Sequence, residues 1–303
     1  MLSGAFLLAN EKNGDSVSFY KRSIYKIGIP VFIFSIFYFV FDIAMVLINH
    51  RSALSIRLLV KPIFHLLKGA PFYHMWYVYM IIWLYVLTPL IIKIKNSVSE
   101  RAFFIASLIV LFFCIFSGWT SKYMFEWDIG RAICYLGYFL IGYEIRSKIG
   151  ADKNNKKAIL CILIGILVEV ILISIRYKFA SELIRDEDLV LPIVGNFNPL
   201  MGLASILFFV GFSYLDTRID CSNISRYSFL IYLFHAGILE IMLIGYRDIF
   251  HGSGDNSLFI IPITIFVVFF ISYAFAFLYS KTWDRISANY YADKTKRTDN
   301  HKL

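Results

Sequence analysis

Eight runs of apolar residues, most of them long enough to cross a lipid bilayer, constrain this chain more than any other feature. They lie at approximately 27–48, 74–94, 102–119, 132–145, 158–175, 198–214, 227–246 and 258–280. A hydrocarbon core about 30 Å thick needs roughly 17–25 helical residues. The run at 132–145 is short and needs its flanking aromatics to complete a crossing. Apolar residues fill 59% of 303 positions and charged residues only 17%, whereas soluble domains sit nearer about 45–50% and 25%. A water-soluble fold would therefore leave large apolar patches exposed. Inside lipid each segment must satisfy its own backbone hydrogen bonds, so such runs are helices. The expected fold is all-α, a polytopic transmembrane helical bundle with about eight complete spans.

The charges orient the bundle. If residues 10–26 are inside, the inner segments hold twenty Lys and Arg and the outer segments ten. Cations gather on the cytoplasmic side of short loops, so both termini are expected there, in a multi-pass cell-membrane protein. The net charge of +9 is thereby explained by topology, and no nucleic-acid partner is expected. Tyr and Trp flank many of the runs, as an interfacial belt requires. The four cysteines, Cys114, Cys134, Cys161 and Cys221, lack metal-ligand spacing and read as buried thiols, with no metal site.

Three segments fall outside the spans. Ile56, Leu59, Val60, Ile63 and Leu67 keep helical spacing, which predicts an interfacial helix broken near Pro62. Residues 179–192, with Glu182, Arg185, Asp186, Glu187 and Asp188, read as a solvated outer loop. The chain divides into a membrane domain at 1–280 and a basic cytoplasmic tail at 281–303, expected to fray near the inner leaflet.

Ionisable groups inside spans are costly and tend to mark function. Asp42, Glu169, His235 and Glu240 lie within the runs, and His74 lies at an outer edge. Asp42 and Glu240 are close enough to helix ends to reach the interface, and Glu169 is deeper. Ser228, Tyr232 and His235 are spaced i, i+4, i+7 and share one helix face. That face serves either interhelical hydrogen bonding or chemistry. Trp76, Tyr79 and Trp83 align at i, i+3, i+7, the usual mark of a packing face, while His74 at its lip could act on a substrate outside the membrane. Lys21, Arg22 and Lys26 precede the first complete span and serve either as topogenic charge or as a phosphate site.

Four stretches together resemble the family 3 membrane acyltransferases, the O-acetyltransferase-like proteins of bacterial envelopes. Leu2-Ser3-Gly4-Ala5-Phe6-Leu7-Leu8 is similar to the end of that family's second span. Lys21-Arg22-Ser23-Ile24-Tyr25-Lys26-Ile27-Gly28-Ile29-Pro30 resembles its basic approach to the third. His74-Met75-Trp76-Tyr77, continuing to Tyr85-Val86-Leu87-Thr88-Pro89, resembles its fourth span. Ser225-Arg226-Tyr227-Ser228-Phe229-Leu230-Ile231-Tyr232-Leu233-Phe234-His235 resembles its penultimate span.

The resemblance implies transfer of an acyl group, usually acetyl, from acyl-CoA to a hydroxyl of a carbohydrate or other envelope acceptor. The CoA is a donor substrate, and no resident cofactor is implied. Lys21, Arg22 and Lys26 would meet its phosphates. His74 and His235 are catalytic candidates, and Trp76, Tyr79, Ser228 and Tyr232 would contact substrate. Family members typically have ten spans, the first bearing an Arg and the presumed general-base His. Eight complete spans remain here, so the chain is expected to lack the first one to two, and that His has no counterpart. The family's Arg-x-x-Arg before the third span is degraded, with Lys26 at its second position and Ser23 at its first, beside Arg22. Two rival expectations need no such His: an exporter or transporter of a polysaccharide or lipid-linked substrate, or an inactive fragment of the acyltransferase.

Overall fold

Each of the eight apolar runs is a helix in the computed structural model, which describes residues 1–49, 60, 63–65, 71–116, 128–150, 152–183, 198–217, 220, 222–249 and 257–300. Among the described residues there is no strand. A short helix α1 (Leu2–Leu7) leads through a 3₁₀ turn at Glu11–Gly14 into α2 (Ser16–Ser23), a π-turn at Ile24–Gly28 and α3 (Ile29–Asn49). Next come α4 (Trp76–Ser97), α5 (Glu100–Ile115), α6 (Asp128–Ile149), α7 (Asn155–Leu183) and α8 (Pro199–Tyr214). The last two are α9 (Ser222–Ile249) and α10 (Ser257–Asn300).

Among the described residues five helices are long and apolar enough to cross a membrane: Ser16–Met45, Trp76–Ser97, Asn155–Phe179, Ile224–Tyr246 and Ile260–Trp283. Pro199–Tyr214 is a shorter apolar helix. The chain is thus an all-α, multi-pass membrane protein. The 132–145 run is completed at both ends, since α6 has 22 residues. The tail departs from expectation: α10 runs unbroken past Lys281 to Asn300, 44 residues in all. Of the expected interfacial helix only residues 60 and 63–65 are described, and these are helical; its remainder and most of the 179–192 loop lie outside the described residues.

The helix starts follow from local chemistry. Ser99 accepts the Ala102 amide at 3.2 Å, with Glu100 in the first turn of α5. Asn154 accepts the Lys157 amide at 3.1 Å. Asn198 accepts the Met201 amide at 2.8 Å, with Pro199 in the first turn of α8. Each cap satisfies a donor that the first helical turn leaves without an intrahelical partner.

The chain forms two compact units, Met1–Thr217 and Arg218–Leu303. In the first, α6 is central and touches α1, α4, α5 and α8. Glycine makes this possible. A Cβ on Gly4 would run into the Phe139 carbonyl, and one on Gly142 into the Met1 carbonyl. α1 and α6 therefore meet backbone to backbone, the close approach that small residues permit in membranes. The core beside this contact comprises Leu8, Met80, Leu84, Ile91, Ile92, Phe103, Phe139 and Leu140. At the edge of the unit α7 pairs with α8 through Ala158, Gly165 and Gly211, with Gly165 against the Phe208 ring. Leu160, Leu163, Leu167 and Val170 of α7 are exposed, as a lipid-facing helix requires.

The second unit is an antiparallel hairpin of α9 and α10. Tyr227 packs edge-on against Tyr273 and Phe277, Phe234 stacks on Phe275, and Thr264 donates to the Tyr246 hydroxyl at 3.2 Å.

Candidate functional site

One end of the first unit collects its cations. Asn13, buried in the 3₁₀ turn, donates from Nδ2 to the Leu7 carbonyl at 2.9 Å and accepts from Arg22 at 3.2 Å. Lys95, at the far end of α4, donates to the Leu8 carbonyl at 3.0 Å and lies 4.9 Å from the Tyr143 ring centroid. The last carbonyls of α1 thus receive the donors that a helix C-terminus requires. Arg146 covers the Phe6 ring at 4.0 Å. Lys148 covers Phe104 at 3.1 Å and pairs with Glu144 at 3.8 Å. Of the three basic residues singled out in the sequence, Arg22 is anchored, while Lys21 and Lys26 are exposed. Sequence reasoning missed Lys95, Arg146 and Lys148 because they read as loop charge. Their common signal was position at the C-terminal ends of two apolar runs, 74–94 and 132–145.

Lys26 sits in the π-turn, and the sequence explains that turn. Pro30 has no N–H, so it cannot donate to the Lys26 carbonyl, and its ring crowds that carbonyl. The backbone widens by one residue, with the Ile29 amide reaching the Ile24 carbonyl. Such turns concentrate at functional positions. Just before α2, the Ser18 hydroxyl and the Val17 and Ser18 amides hold the Asp15 carboxyl below its usual range, and Arg22 adds to this. α2 is then tied to α4: Tyr20 donates to the Val86 carbonyl at 2.7 Å, and Phe19 stacks on Tyr85. Pro89 lies inside α4 and has no amide to donate to the neighbouring Tyr85 carbonyl.

At the opposite end of α4 the structure gathers rings. His74 is 6% exposed and packs edge-on against Tyr38 at 4.9 Å and Phe72 at 5.8 Å. Tyr38, fully buried, stacks on Phe72 at 4.7 Å. Tyr79 meets Ser35 at 3.0 Å, hydroxyl to hydroxyl. Trp76 turns instead toward α6, 6.1 Å from Tyr135. The stripe Trp76, Tyr79 and Trp83 is therefore not the buried face of α4: Trp83 is exposed, while Val78, Met80, Leu84, Thr88 and Ile91 are buried. His65 Nδ1 lies 3.7 Å from Asp42 Oδ2 at the same end of α3. Glu169 is half-buried on α7, on the stripe with Ala158, Gly165 and Leu172.

Between these two ends lies a cavity of about 340 Å³. α4 contributes Tyr77, Met80, Ile81 and Leu84, and α6 contributes Tyr135, Tyr138 and Phe139. Met201 and Ser205 come from α8, and Met1 and Ser3 from the start of the chain. Hydroxyl groups and apolar side chains thus line it together. Among the described residues no cluster of three His, Cys, Asp or Glu side chains forms. Trp76 reaches this region through its contact with Tyr135, while His74 and Tyr79 face α3.

Ser228, Tyr232 and His235 belong to the second unit. Ser228 is exposed and donates to the Ser225 carbonyl at 2.9 Å. The Tyr232 and His235 rings lie 5.2 Å apart, and His235 Nδ1 donates to the Tyr232 carbonyl at 2.6 Å. A carbonyl only accepts, so Nδ1 is the donor in this bond.

Comparison with known proteins gives one match. No curated protein and no solved structure matches the chain. The model of the family 3 acyltransferases, described as an acyltransferase domain, matches residues 1–280. That range takes in α1 to α9, the cavity, the cation-bearing end and most of the apolar part of α10. The chain belongs to the family 3 acyltransferases.

Proposed function

We propose that this membrane acyltransferase moves an acyl group from acyl-CoA, taken from the cytoplasm, to a hydroxyl of a carbohydrate or cell-envelope acceptor in a bacterial membrane. One observation carries the reading. The first unit holds cations at one end and a hydroxyl-lined cavity nearer the other, both built on α1, α4 and α6. The donor's phosphates suit Arg22, Lys21 and Lys26, with Lys95 and Lys148 close to the same end; Arg in particular matches phosphate geometry. Activated thioesters exist in the cytosol, so on this reading the cation-bearing end lies on that side, in keeping with the bias of basic residues.

In the reaction the acceptor oxygen attacks the thioester carbonyl, a C–O bond forms and the C–S bond breaks. The hydroxyl proton leaves through a general base and ends on the CoA thiol. His74 and His235 are the candidates for that base. Trp76, Tyr79, Ser228 and Tyr232 would hold the acceptor or the acyl group.

The test uses the full chain in vesicles with labelled acetyl-CoA and envelope glycans. Label should pass to the glycan. Arg22→Ala should weaken CoA binding about tenfold or more, the scale of a lost hydrogen bond to a charged group. Replacing the true base with Gln should cut turnover by about 10²–10⁴ at similar donor affinity. A chain that moves glycan without binding CoA would be an exporter, and the reading would fall.

A further inference from the structure

We infer that Cys114 and Cys134 are an oxidisable pair, closing into a disulfide that staples α5 to α6 at the end away from the cations. The inference goes beyond acyl transfer and stands whether or not that reading does. Contacts along α5 and α6 fix their register. The Phe103 ring meets Tyr143, a Cβ on Gly137 would lie 2.5 Å from the Leu111 Cα, and the Cys114 thiol touches Ile133. Residue numbers rise along α5 as they fall along α6, so the two helices are antiparallel. Three residues beyond Leu111 is Cys114, and three before Gly137 is Cys134. Each step climbs about 4.5 Å in the same direction. The two cysteines therefore share one level, a turn away from the point where the backbones nearly touch.

The Cys114 thiol already lies against the turn that bears Cys134. Its Sγ donates to the Ile133 carbonyl and accepts from the Gly137 amide, both at 3.3 Å. A carbonyl oxygen and the next Cα are about 2.8 Å apart across a planar trans peptide, so this sulfur is within roughly 6 Å of the Cys134 Cα. Cys134 belongs to the face of α6 that meets α5: Tyr138 and Ile141, four and seven residues further on, are buried in one cluster with Leu111 and Cys114. Bridging asks for Cα atoms about 4.4–6.8 Å apart, a separation that two helices reach only where a glycine lets them close up. Cys114 is 3% exposed and Cys134 2%, which excludes a sulfur from another chain.

The oxidant is itself a disulfide, met while the helices are closing or when their ends open. One cysteine thiolate attacks it, its S–S bond breaks, and a mixed disulfide forms as the first thiol leaves. The second cysteine sulfur attacks the first at that mixed bond, forming the Cys114–Cys134 link and releasing the second thiol. The two cysteine protons end on the two released thiols, so the pair gives up two electrons and the oxidant takes two. On the orientation that the basic residues imply, this end lies on the extracytoplasmic side, where disulfides persist. The link would hold α6, with Tyr135 and Tyr138, against α5.

The test inserts the full chain into nanodiscs by cell-free synthesis, with oxidised glutathione or dipyridyl disulfide present during and after insertion. Remaining thiols are alkylated in denaturant, and peptides are mapped by mass without reductant. More than half of the molecules should carry one linked peptide containing Cys114 and Cys134, which dithiothreitol separates. Cys114→Ser and Cys134→Ser should each abolish it, and Cys161→Ser should link as the wild type does. The deciding readout is on the wild-type chain, so no variant has to fold for it to count. Alkylated or glutathione-capped Cys114 and Cys134 in most wild-type molecules would overturn the inference, and so would a bond from either of them to Cys161 or Cys221.

Discussion

Gly4 shows how much one missing side chain can decide. With no Cβ, it lets the backbone of α1 rest on the carbonyl of Phe139, and Gly142 does the same for α6 beneath Met1. A branched side chain at position 4 cannot be absorbed by a rotamer change, because the obstacle is backbone. Gly4→Val should push α1 off α6, loosen the Leu8 carbonyl from Lys95 and cost on the order of 1–3 kcal/mol, the usual scale of overpacking. Thermal unfolding of the purified chain reads this, and Gly245→Ala, which meets nothing within 4 Å, serves as the control. Equal melting temperatures for the two variants would mean that the close approach contributes nothing. In the sequence Gly4 stands out only as part of a family-like stretch, because Phe139, the partner that makes it necessary, lies 135 residues away.

At the scale of elements, the π-turn between α2 and α3 sets how the cations are aimed. Pro30→Ala restores an amide at that position and allows the helix to close into a regular α-turn. Losing one residue from the turn would rotate α2 by roughly 100° relative to α3, one residue's share of a 3.6-residue turn. Tyr20 would then leave the Val86 carbonyl, and Phe19 would leave Tyr85. The expected result is a well-folded chain whose CoA affinity falls about as far as that of Arg22→Ala, read by the same measurement of CoA binding. Unchanged affinity would mean that the widened turn has no part in placing the basic residues. The proline was visible in the sequence, but its consequence was not. The apolar run at 27–48 starts after the basic cluster, whereas the helix begins at Ser16 and carries Lys21, Arg22 and Lys26 along it. Element existence was legible because bilayer-length apolar runs leave no alternative to helices. Which face of α4 is buried was not legible, since lipid and protein interior are equally apolar. Trp83 therefore faces outward where spacing alone grouped it with Trp76 and Tyr79. The cavity was illegible for the same reason: Met80, Ile81 and Leu84 look like any other stretch of span.

For the molecule as a whole, alternating helix direction brings three connections to one end of the first unit: the turn after α1, the turn between α4 and α5, and the turn between α6 and α7. Contacts tie these ends together, with Lys95 on Leu8, Lys148 on Phe104 and Lys153 donating to the Ser213 carbonyl at 3.0 Å. Single cysteines replacing Lys12, Asn96 and Lys153 should therefore react with an impermeant thiol reagent from one side of intact vesicles, and one replacing Tyr73 from the other. Labelling of Lys12 and Lys153 positions from opposite sides would dismantle both the arrangement and the donor site built on it. The charge count in the sequence supported this layout and named its inner segments, and the fold supplies the contacts between them.

The shortness of α8 has a mechanical consequence for the lipid around it. Its 16 residues extend only about 24 Å, against a hydrocarbon layer of about 30 Å, while neighbouring α7 with 29 residues reaches about 43 Å. A bilayer that thins where it touches α8 would match so short a rod. Met201 and Ser205 lie in the first half of that rod, so a headgroup carried on a lipid tail would descend furthest into the membrane beside the cavity, and a polar acceptor would have less oil to traverse there than anywhere along α7.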